Sequence, residues 1–219
     1  MRKAILIATA GLALAIPASA SAVVQELGIA PTRYPATCPT NCNAVAMVTG
    51  FQVRQGNVRN PFRVNRAGRI VAFSMKLGEP SRAQSGFFAA TFGGRSQARV
   101  SILRPPRGGS RHRLMAQSEI FFLSPYFGTT PTFALAKSLP VEKGNIVALT
   151  VPTWAPAFAV GLPAEEAWKA SRDPETCDEE KQEAAQQSVS GLRAYRCFYR
   201  TARLLYSATF VPDPRRPKR

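Results

Sequence analysis

The stretch Ser138–Pro152 reads SLPVEKGNIVALTVP and predicts two β-strands joined by a tight turn. Val141 ends one apolar run, and a second apolar run begins at Ile146. Between them, Gly144 tolerates a positive φ at no steric cost, and Asn145 is the next most tolerant residue type. Alternation places three apolar side chains on one face of the second strand, namely Val147, Leu149 and Val151. This stretch therefore favours a β fold.

The string from Leu139 to Leu149, Leu-Pro-Val-x-x-Gly-Asn-x-Val-Ala-Leu, resembles a hairpin signature of uncharacterised secreted proteins of high-GC bacteria. Proteins of that family are jelly-roll β-sandwiches. The resemblance implies a hairpin at this point and a jelly-roll-like sandwich for the chain. It implies no activity, cofactor or ligand.

The rest of the chain is typical of an all-β fold, a two-sheet antiparallel β-sandwich. Eighteen prolines and fifteen glycines separate short apolar runs that are rich in β-branched and aromatic residues. The clearest run lies within residues 69–77, where Val71, Phe73, Met75 and Leu77 are expected to share one face. The last two strands are predicted to form a closing hairpin, and both faces of the final one are apolar, which predicts a central position in its sheet. The predicted strands cover residues 45–53, 61–65, 69–77, 98–103, 113–123, 133–141, 146–151, 157–161, 195–199 and 203–211.

One short helix is predicted over residues 81–92, where the strand pattern is interrupted. Ser81 is a suitable N-cap, and two glycines follow at 93 and 94 as a stop signal. Phe87, Phe88 and Phe92 have the spacing of one helical face. We therefore expect a helix that covers one end of the sandwich.

Residues 1–22 have the pattern of an export signal. Arg2 and Lys3 precede an apolar run over residues 4–16, and small residues at 18–22 provide a cleavage site. The apolar run is shorter than the ~20 residues that span a bilayer, so a membrane anchor is disfavoured. The sequence predicts a secreted protein with no membrane span.

The four cysteines fit an oxidising compartment. Of the three possible connectivities, we expect the two local ones, Cys38–Cys42 and Cys177–Cys197. The first would pin an irregular lead-in, residues 23–43, near the first strand. A zinc site is the alternative, but the single histidine, His112, is far from every cysteine in sequence, so no metal site and no cofactor are expected.

The charge distribution divides the predicted sandwich domain, residues 44–211. The formal net charge is +16, yet residues 163–190 hold eight acids and only three bases. We therefore predict an acidic insertion over residues 163–192, with helical turns at 164–170 and 179–187, closed by the Cys177–Cys197 bond. Residues 212–219 are predicted to be a basic, disordered tail.

Catalysis is disfavoured by the residues that are present. His112 lies between Arg111 and Arg113, whose charges should lower its pKa, and we interpret it as a loop histidine. Glu119 is the one acid well inside a predicted strand, whereas carboxylate hydrolysis needs two positioned groups. The sequence predicts a non-catalytic protein. The alternative is an extracellular glycosidase-like hydrolase that uses Glu119 and an unidentified second acid.

The arginines indicate a possible anionic partner. One acid-free group runs from Arg54 to Arg69 and another from Arg95 to Arg113. Arg107, Arg111 and Arg113 surround an expected exposed turn and are the candidate ligands for an anionic cell-wall polymer or polysaccharide. Solvated surface charge, or pairing with the acidic insertion, would explain the same residues without a partner. Nucleic acid is disfavoured because Phe62 and Phe73, the aromatics among the first arginines, are predicted to be buried.

Three aromatic residues in predicted loops are candidates for carbohydrate binding: Tyr126, Trp154 and Trp168. Sugar binding needs exposed rings gathered in one groove, whereas an aromatic beside proline often packs on the core. We expect Trp154 to be buried for this reason. The combined expectation is a non-catalytic cell-envelope interaction or binding module, with a purely structural module as a further alternative.

Overall fold

The structure is a computed structural model and describes residues 23–179 and 182–214. The predicted export signal at 1–22 and the end of the predicted tail, 215–219, lie outside the described residues. Within them the chain forms fifteen strands and one α-helix, α1 at Arg82–Phe92. The strands are β1 Gln25–Leu27, β2 Val45–Gln55, β3 Val58–Arg59, β4 Gly68–Met75, β5 Gln97–Arg104, β6 Arg111–Gln117, β7 Phe121–Phe122, β8 Thr132–Val141, β9 Ile146–Ala155, β10 Phe158–Val160, β11 Glu166–Ala170, β12 Leu192–Ala194, β13 Cys197–Arg200, β14 Ala202–Leu204 and β15 Tyr206–Pro212.

The strands form two main antiparallel sheets that share one core. The smaller sheet has the order β1-β15-β4-β8, and the larger has the order β12-β6-β5-β9-β2-β11-β13. Strand β3 pairs with β2, β7 pairs with β5, and β10 and β14 form a separate two-stranded sheet. Ile70 and Phe73 of the smaller sheet and Leu149 and Val151 of the larger sheet belong to one buried cluster. The prediction of an all-β sandwich is confirmed.

The turn at residues 142–145 connects the two main sheets. Strand β8 pairs with β4, whereas β9 pairs with β2 and β5, so β8 and β9 do not form the expected hairpin. The two strands and their tight turn are confirmed. Asn145 N donates to Glu142 O at 3.0 Å, Glu142 N donates to Asn145 Oδ1 at 2.9 Å, and Gly144 has φ +92°. The hairpin interpretation is wrong because β9 is a central strand of the larger sheet, with neighbours on both sides.

Strand β9 is buried on both faces. Leu149 and Val151 face the sandwich core, while Thr150 lies on the opposite face. There its Oγ1 lies 2.9 Å from Thr49 Oγ1 and 2.6 Å from Ser101 Oγ, so three strands are joined by buried hydroxyl groups. Gln186 N donates to Thr49 Oγ1 at 2.9 Å, because the segment after β11 covers this face. The larger sheet is therefore packed on both sides.

The region predicted as an insertion contributes directly to the larger sheet. Residues 166–170 form β11 between β2 and β13, so the helical turn expected at 164–170 is wrong. The described part of 179–187 is not helical either. Four of the five residues of β11 are buried, namely Glu166, Ala167, Trp168 and Ala170, which fits a sheet strand with both faces covered.

Two other long-range pairings differ from the expectation. Strand β13 pairs with β11, whereas β15 pairs with β1 and β4, so the closing hairpin predicted from residues 195–199 and 203–211 is wrong. The predicted central position of the last strand is confirmed, because β15 has a neighbour on each side. Residues 61–65 form only an isolated bridge between Arg63 and Ile146. The long strand predicted over 113–123 is interrupted at residues 118–120 between β6 and β7.

Bulges change which residues of β4 are buried. The pairing of β4 with β8 and its pairing with β15 both shift register at Val71, between Ile70 and Ala72. As a result Ile70, Phe73 and Met75 are fully buried, whereas Val71 is only partly buried. The expected burial of alternate side chains therefore holds for Phe73 and Met75, after the bulge, and fails for Val71.

Helix α1 has both predicted ends. Ser81 Oγ accepts from Gln84 N at 3.2 Å, Gln84 Oε1 accepts from Ser81 N at 2.7 Å, and Gly93 adopts the left-handed conformation after the last turn. Phe88 and Phe92 are buried four residues apart. Phe87 is 62% exposed, so its expected place on the buried face is wrong.

Both predicted disulfides form, Cys38–Cys42 and Cys177–Cys197. The lead-in that the first one closes is not wholly irregular, because β1 adds to the edge of the smaller sheet.

No helix in residues 23–179 and 182–214 is long and apolar enough to cross a membrane.

A buried ion pair joins the lead-in, the two-stranded sheet and the larger sheet. Arg203 of β14 and Glu166 of β11 are 0% and 1% exposed, and Arg203 Nη1 lies 4.0 Å from Glu166 Oε2. Tyr34 Oη donates to Glu166 Oε1 at 3.3 Å, and Arg203 Nη2 donates to Ile29 O at 2.5 Å. Burial lowers the pKa of Arg203, and the Glu166 carboxylate opposes that shift. Each charge thus depends on the other for compensation.

Arg203→Met should lower the free energy of unfolding by about 3 kcal/mol, because it leaves the Glu166 carboxylate buried without its cation. Glu166→Gln should have a cost of similar size for the opposite reason. Urea unfolding of the wild type, both single variants and the double variant measures the coupling. Fully additive costs in the double variant would show that the two charges do not compensate each other.

Candidate functional site

A cluster of three aromatic side chains beside a cavity is centred on Trp168. Trp168 of β11 lies opposite Tyr199 of β13 in the register, and their rings stack with centroids 4.7 Å apart at 28°. Phe158 of β10 meets Trp168 edge-on at 5.8 Å. Cross-strand pairing and stacking thus hold three rings in fixed positions.

A cavity of about 450 Å³ opens beside these rings, between the β11–β13 edge of the larger sheet and the two-stranded sheet. This volume lies within the range of small-molecule sites. Aromatic, aliphatic and charged groups all contribute to its wall. The lining residues that carry polar or aromatic groups are Phe92, Phe158, Trp168, Arg172, Asp178, Tyr199, Arg200 and Thr201.

Arg172 and the Tyr199 hydroxyl are fixed by the segment that follows β11. Arg172 Nη1 donates to Tyr199 Oη at 3.3 Å, and Arg172 Nη2 donates to Ala46 O at 3.2 Å. The Tyr199 hydroxyl in turn donates to Cys177 O, next to the Cys177–Cys197 disulfide. The cross-link and these hydrogen bonds keep the charged wall of the cavity close to its aromatic wall.

The Trp168 ring is seated against the backbone of Gly50. A Cβ atom added at Gly50 would lie 2.8 Å from Trp168 Cε3 and Cζ3 and 3.0 Å from Leu204 Cδ1. Trp168 is only 4% exposed, and its Nε1 has no hydrogen-bond partner among the described residues. A buried indole N–H without an acceptor costs free energy, which the close packing of the ring must offset.

The three aromatic residues proposed from the sequence do not meet in one groove. Trp168 was expected to be exposed in a loop and instead lies buried in a strand, which corrects that prediction. Trp154 is buried as expected, and its Nε1 donates to Gly94 O at 2.9 Å beneath Phe88 of α1. Tyr126 is 42% exposed, with its ring edge-on to Phe133 at 5.2 Å. Of the three, only Trp168 lines the cavity.

The arginines proposed as polymer ligands, Arg107, Arg111 and Arg113, are exposed as expected. Arg107 lies in the turn between β5 and β6, while Arg111 and Arg113 belong to β6. Arg113 Nη1 donates to Ser190 O at 2.6 Å, and Arg111 lines a separate cleft with Asp173. Arg113 therefore contacts the predicted insertion, residues 163–192, which fits the alternative that this region folds back on the basic domain.

Glu119 does not lie in a strand. The chain leaves the β6 pairing at Ser118, whose N donates to Val100 O at 3.0 Å, and re-enters pairing only at β7. Glu119 is exposed, and its Oε1 accepts from Ala136 N at 2.7 Å. The expected position inside a strand is therefore wrong, and the carboxylate has a structural partner.

His112 is a strand residue packed against two rings. It is 7% exposed, with ring centroids 4.7 Å from Tyr195 and 5.5 Å from Phe51. Burial lowers the pKa of His112, a hydrogen bond from its Nδ1–H to Ser110 O opposes the shift, and Lys169 adds to it. The pKa is lowered as predicted, but by burial and Lys169 rather than by Arg111 and Arg113, and the loop interpretation is wrong. Among the described residues, no group of three or more His, Cys, Asp or Glu side chains is placed to hold a metal ion.

Sequence reasoning missed Phe158, Arg172 and Tyr199 as members of the cavity. Arg172 offered a signal, since it is one of only three bases in the acidic stretch 163–190. Tyr199 and Phe158 offered none, because their neighbourhood depends on the pairing of β11 with β13 and of β10 with β14.

Comparisons of the chain with protein-family models, with curated protein sequences and with solved structures found no match.

Gly50→Ala should lower the free energy of unfolding by about 1–3 kcal/mol and displace the Trp168 ring, because the added methyl group overlaps it. Tryptophan fluorescence in a Trp154→Phe background reports on Trp168 alone. Gly108→Ala is the matched control, since Gly108 has no atom within 4 Å of an added Cβ. An unchanged Trp168 emission in Gly50→Ala would contradict the close packing.

Stability should fall as the pH decreases through about 6.5, the ordinary pKa of histidine. The folded-state pKa of His112 lies below that value, so the unfolded chain takes up its proton first and gains free energy relative to the folded chain. The free energy of unfolding between pH 7 and pH 5 measures this slope. His112→Phe keeps a ring beside Tyr195 and should lose the slope; the same slope in the variant would exclude His112 as its source.

Proposed function

We propose that this protein is a non-catalytic binding module of the cell envelope, and that its aromatic cavity binds a saccharide unit carrying an anionic group. The observation that carries the proposal is the stacked Trp168–Tyr199 pair beside Arg172 and Arg200 in one cavity of about 450 Å³. Apolar surface, a small number of polar groups and a concave shape are the properties of a ligand site.

The aromatic wall supports a ring-shaped ligand. A sugar ring has an apolar face of C–H groups that packs on a flat aromatic surface, while its hydroxyl groups need donors and acceptors around its edge. Tyr199 is the partly exposed ring of the pair and supplies this surface, while the buried Trp168 is stacked against it. The strand register and the hydrogen bonds of Tyr199 Oη with Arg172 and Cys177 fix the position of the ring. A surface that is already ordered loses little conformational entropy on binding.

The polar wall supports an acidic ligand. Arg172 is held in place by Ala46 O and Tyr199 Oη, so its guanidinium plane has a defined orientation at the cavity. Arg200 is exposed at the same cavity, and guanidinium groups bind carboxylates and sulfates with paired donors. Asp178 provides an acceptor for hydroxyl groups.

The proposed extracellular location rests on other features of the chain, namely the predicted export signal and the disulfides. The pattern of residues 1–22 predicts export, and both disulfides fit an oxidising environment. The formal net charge of +16 would attract the anionic polymers found outside cells. These properties support an extracellular polysaccharide as the source of the ligand.

Binding is favoured over hydrolysis by the number of carboxylates. Asp178 is the single acid among the described residues that line the cavity, whereas glycosidases need two carboxylates about 5–10 Å apart. Glu119, the acid proposed for the hydrolase alternative, is not among the lining residues and accepts a backbone hydrogen bond.

A uronic-acid tetrasaccharide should bind the Trp154→Phe variant and change the emission of Trp168, while a neutral tetrasaccharide such as cellotetraose should bind more weakly. Arg200→Gln should weaken binding of the uronate about fivefold, because it removes one charge-assisted contact. Arg196→Gln is the control, since Arg196 is also exposed, precedes β13 and does not line the cavity. Titration by fluorescence, with calorimetry on the same samples, measures the affinities.

Three results would contradict the proposal. Absence of a response to either saccharide at millimolar concentration would leave a purely structural module. Equal weakening by Arg200→Gln and Arg196→Gln would show attraction by net charge alone. Release of shorter saccharides during prolonged incubation would favour the hydrolase.

A further inference from the structure

A second concave surface lies where the chain passes from the smaller to the larger sheet. The turn at residues 142–145 and the loop at residues 60–65 form a cleft of about 780 Å³. Its lining contains three cationic side chains, two amides and no acid among the described residues. The lining residues are Arg59, Asn60, Arg63, Val64, Asn65, Lys143 and Gly144.

The walls of this cleft are held by backbone hydrogen bonds. Val64 N donates to Asn145 O and Gly144 N donates to Val64 O, both at 2.8 Å. Arg63 N donates to Asn60 O at 2.9 Å, so the loop is also closed on itself. Val64 is 1% exposed, which anchors the loop in the sandwich core. The cationic side chains therefore project from two segments whose spacing is fixed.

The three cations form no ion pair within residues 23–179 and 182–214. In the described part of the chain, ion pairs involve Arg54, Arg104 and Arg203, and none involves Arg59, Arg63 or Lys143. The acid next to Lys143 is already engaged, because Glu142 Oε2 accepts from Arg104 Nη2 at 3.4 Å. Arg59, Arg63 and Lys143 are all exposed, so their charges are accessible to an anion from solution.

Other arginines of the same acid-free stretch have structural contacts. Arg54 Nη2 lies 3.9 Å from Glu165 Oε1, and Arg69 donates to both the side chain and the carbonyl of Ser138. Arg66 donates to Asp213 O. Arg59 and Arg63 differ from these three because both line the cleft. Arg54, Arg66 and Arg69 thus contact other parts of the protein, whereas Arg59 and Arg63 line the open cleft.

We propose that this cleft binds a tetrahedral oxyanion, a sulfate or phosphate group, between Arg59, Arg63 and Lys143. Guanidinium groups offer paired donors to two oxygens of such a group, and the ammonium of Lys143 offers a compact charge to a third. Asn60 and Asn65 add neutral amide donors at the rim. The cleft is larger than a single oxyanion, so it also admits a group carried on a polymer chain. The site is separate from the aromatic cavity and does not depend on the function proposed for it.

Inorganic sulfate and inorganic phosphate are the first probes. Calorimetry at low ionic strength should show binding to the wild-type protein, and Arg63→Gln/Lys143→Gln should weaken it at least tenfold. Arg82→Gln/Lys137→Gln is the matched control. This variant also removes one arginine and one lysine charge, but from α1 and β8, outside the cleft. It should change the affinity for sulfate and phosphate less than twofold. Thermal unfolding without the anion checks that both double variants are folded.

A heparin tetrasaccharide is the second probe and distinguishes the two sources of the group. Binding at least tenfold tighter than sulfate, lost in Arg63→Gln/Lys143→Gln, identifies a sulfated polymer. Equal affinity supports a site for the free anion. The salt dependence of tetrasaccharide binding should also become shallower in the cleft variant, because fewer counterions are released.

Equal weakening in the cleft variant and in the control would overturn the proposal, since net charge alone would then explain binding. Absence of sulfate and phosphate binding to the wild type would overturn it as well. The Trp168 response to the uronate tetrasaccharide should persist in Arg63→Gln/Lys143→Gln. Failure at the cleft and failure at the aromatic cavity are therefore separate results.

Discussion

One buried pair of charges, Arg203 and Glu166, joins three parts of the chain: the lead-in, the two-stranded sheet and the larger sheet. Burial makes both charges costly, and each is tolerated only because the other is adjacent and the Tyr34 hydroxyl and the Ile29 carbonyl provide hydrogen bonds. Such a pair adds little net stability compared with apolar residues, but it disfavours every arrangement in which one partner is missing. It thereby fixes the lead-in and the two-stranded sheet against the edge of the larger sheet, where the aromatic cavity is located.

A second polar network explains why the acidic segment belongs to the domain. Thr49, Thr150 and Ser101 present hydroxyl groups on the face of the larger sheet opposite the core, and Gln186 contacts this row through its backbone N–H. Its side chain also accepts from Tyr195 Oη at 2.8 Å. Satisfied buried hydrogen bonds of this kind define a single docking position. The same segment carries Arg172 and Asp178 to the cavity, so a structural network also assembles the candidate site.

The two proposed sites arise where regular pairing ends. The aromatic cavity lies between the last strand of the larger sheet and the short β10–β14 sheet, and the cationic cleft lies at the crossing between the main sheets. At such places neighbouring layers do not cover each other, so side chains line open space. The surrounding backbone is still held by hydrogen bonds, which keeps these side chains in defined positions.

The sequence by itself determined the features that depend on neighbours along the chain. Alternation predicted β5, β8 and β9, the Ser81 and Gly93 signals predicted α1, and local spacing predicted both disulfides. Only the tertiary structure decided the features that depend on distant partners. Strand β9 enters the larger sheet, where both of its faces are covered. Trp168 is buried because β11 pairs with β2 and β13. A bulge in β4 buries Ile70 in place of Val71. The cavity combines residues from 44 to 202, and no local pattern records that proximity, because it results from burial and pairing between segments far apart in sequence.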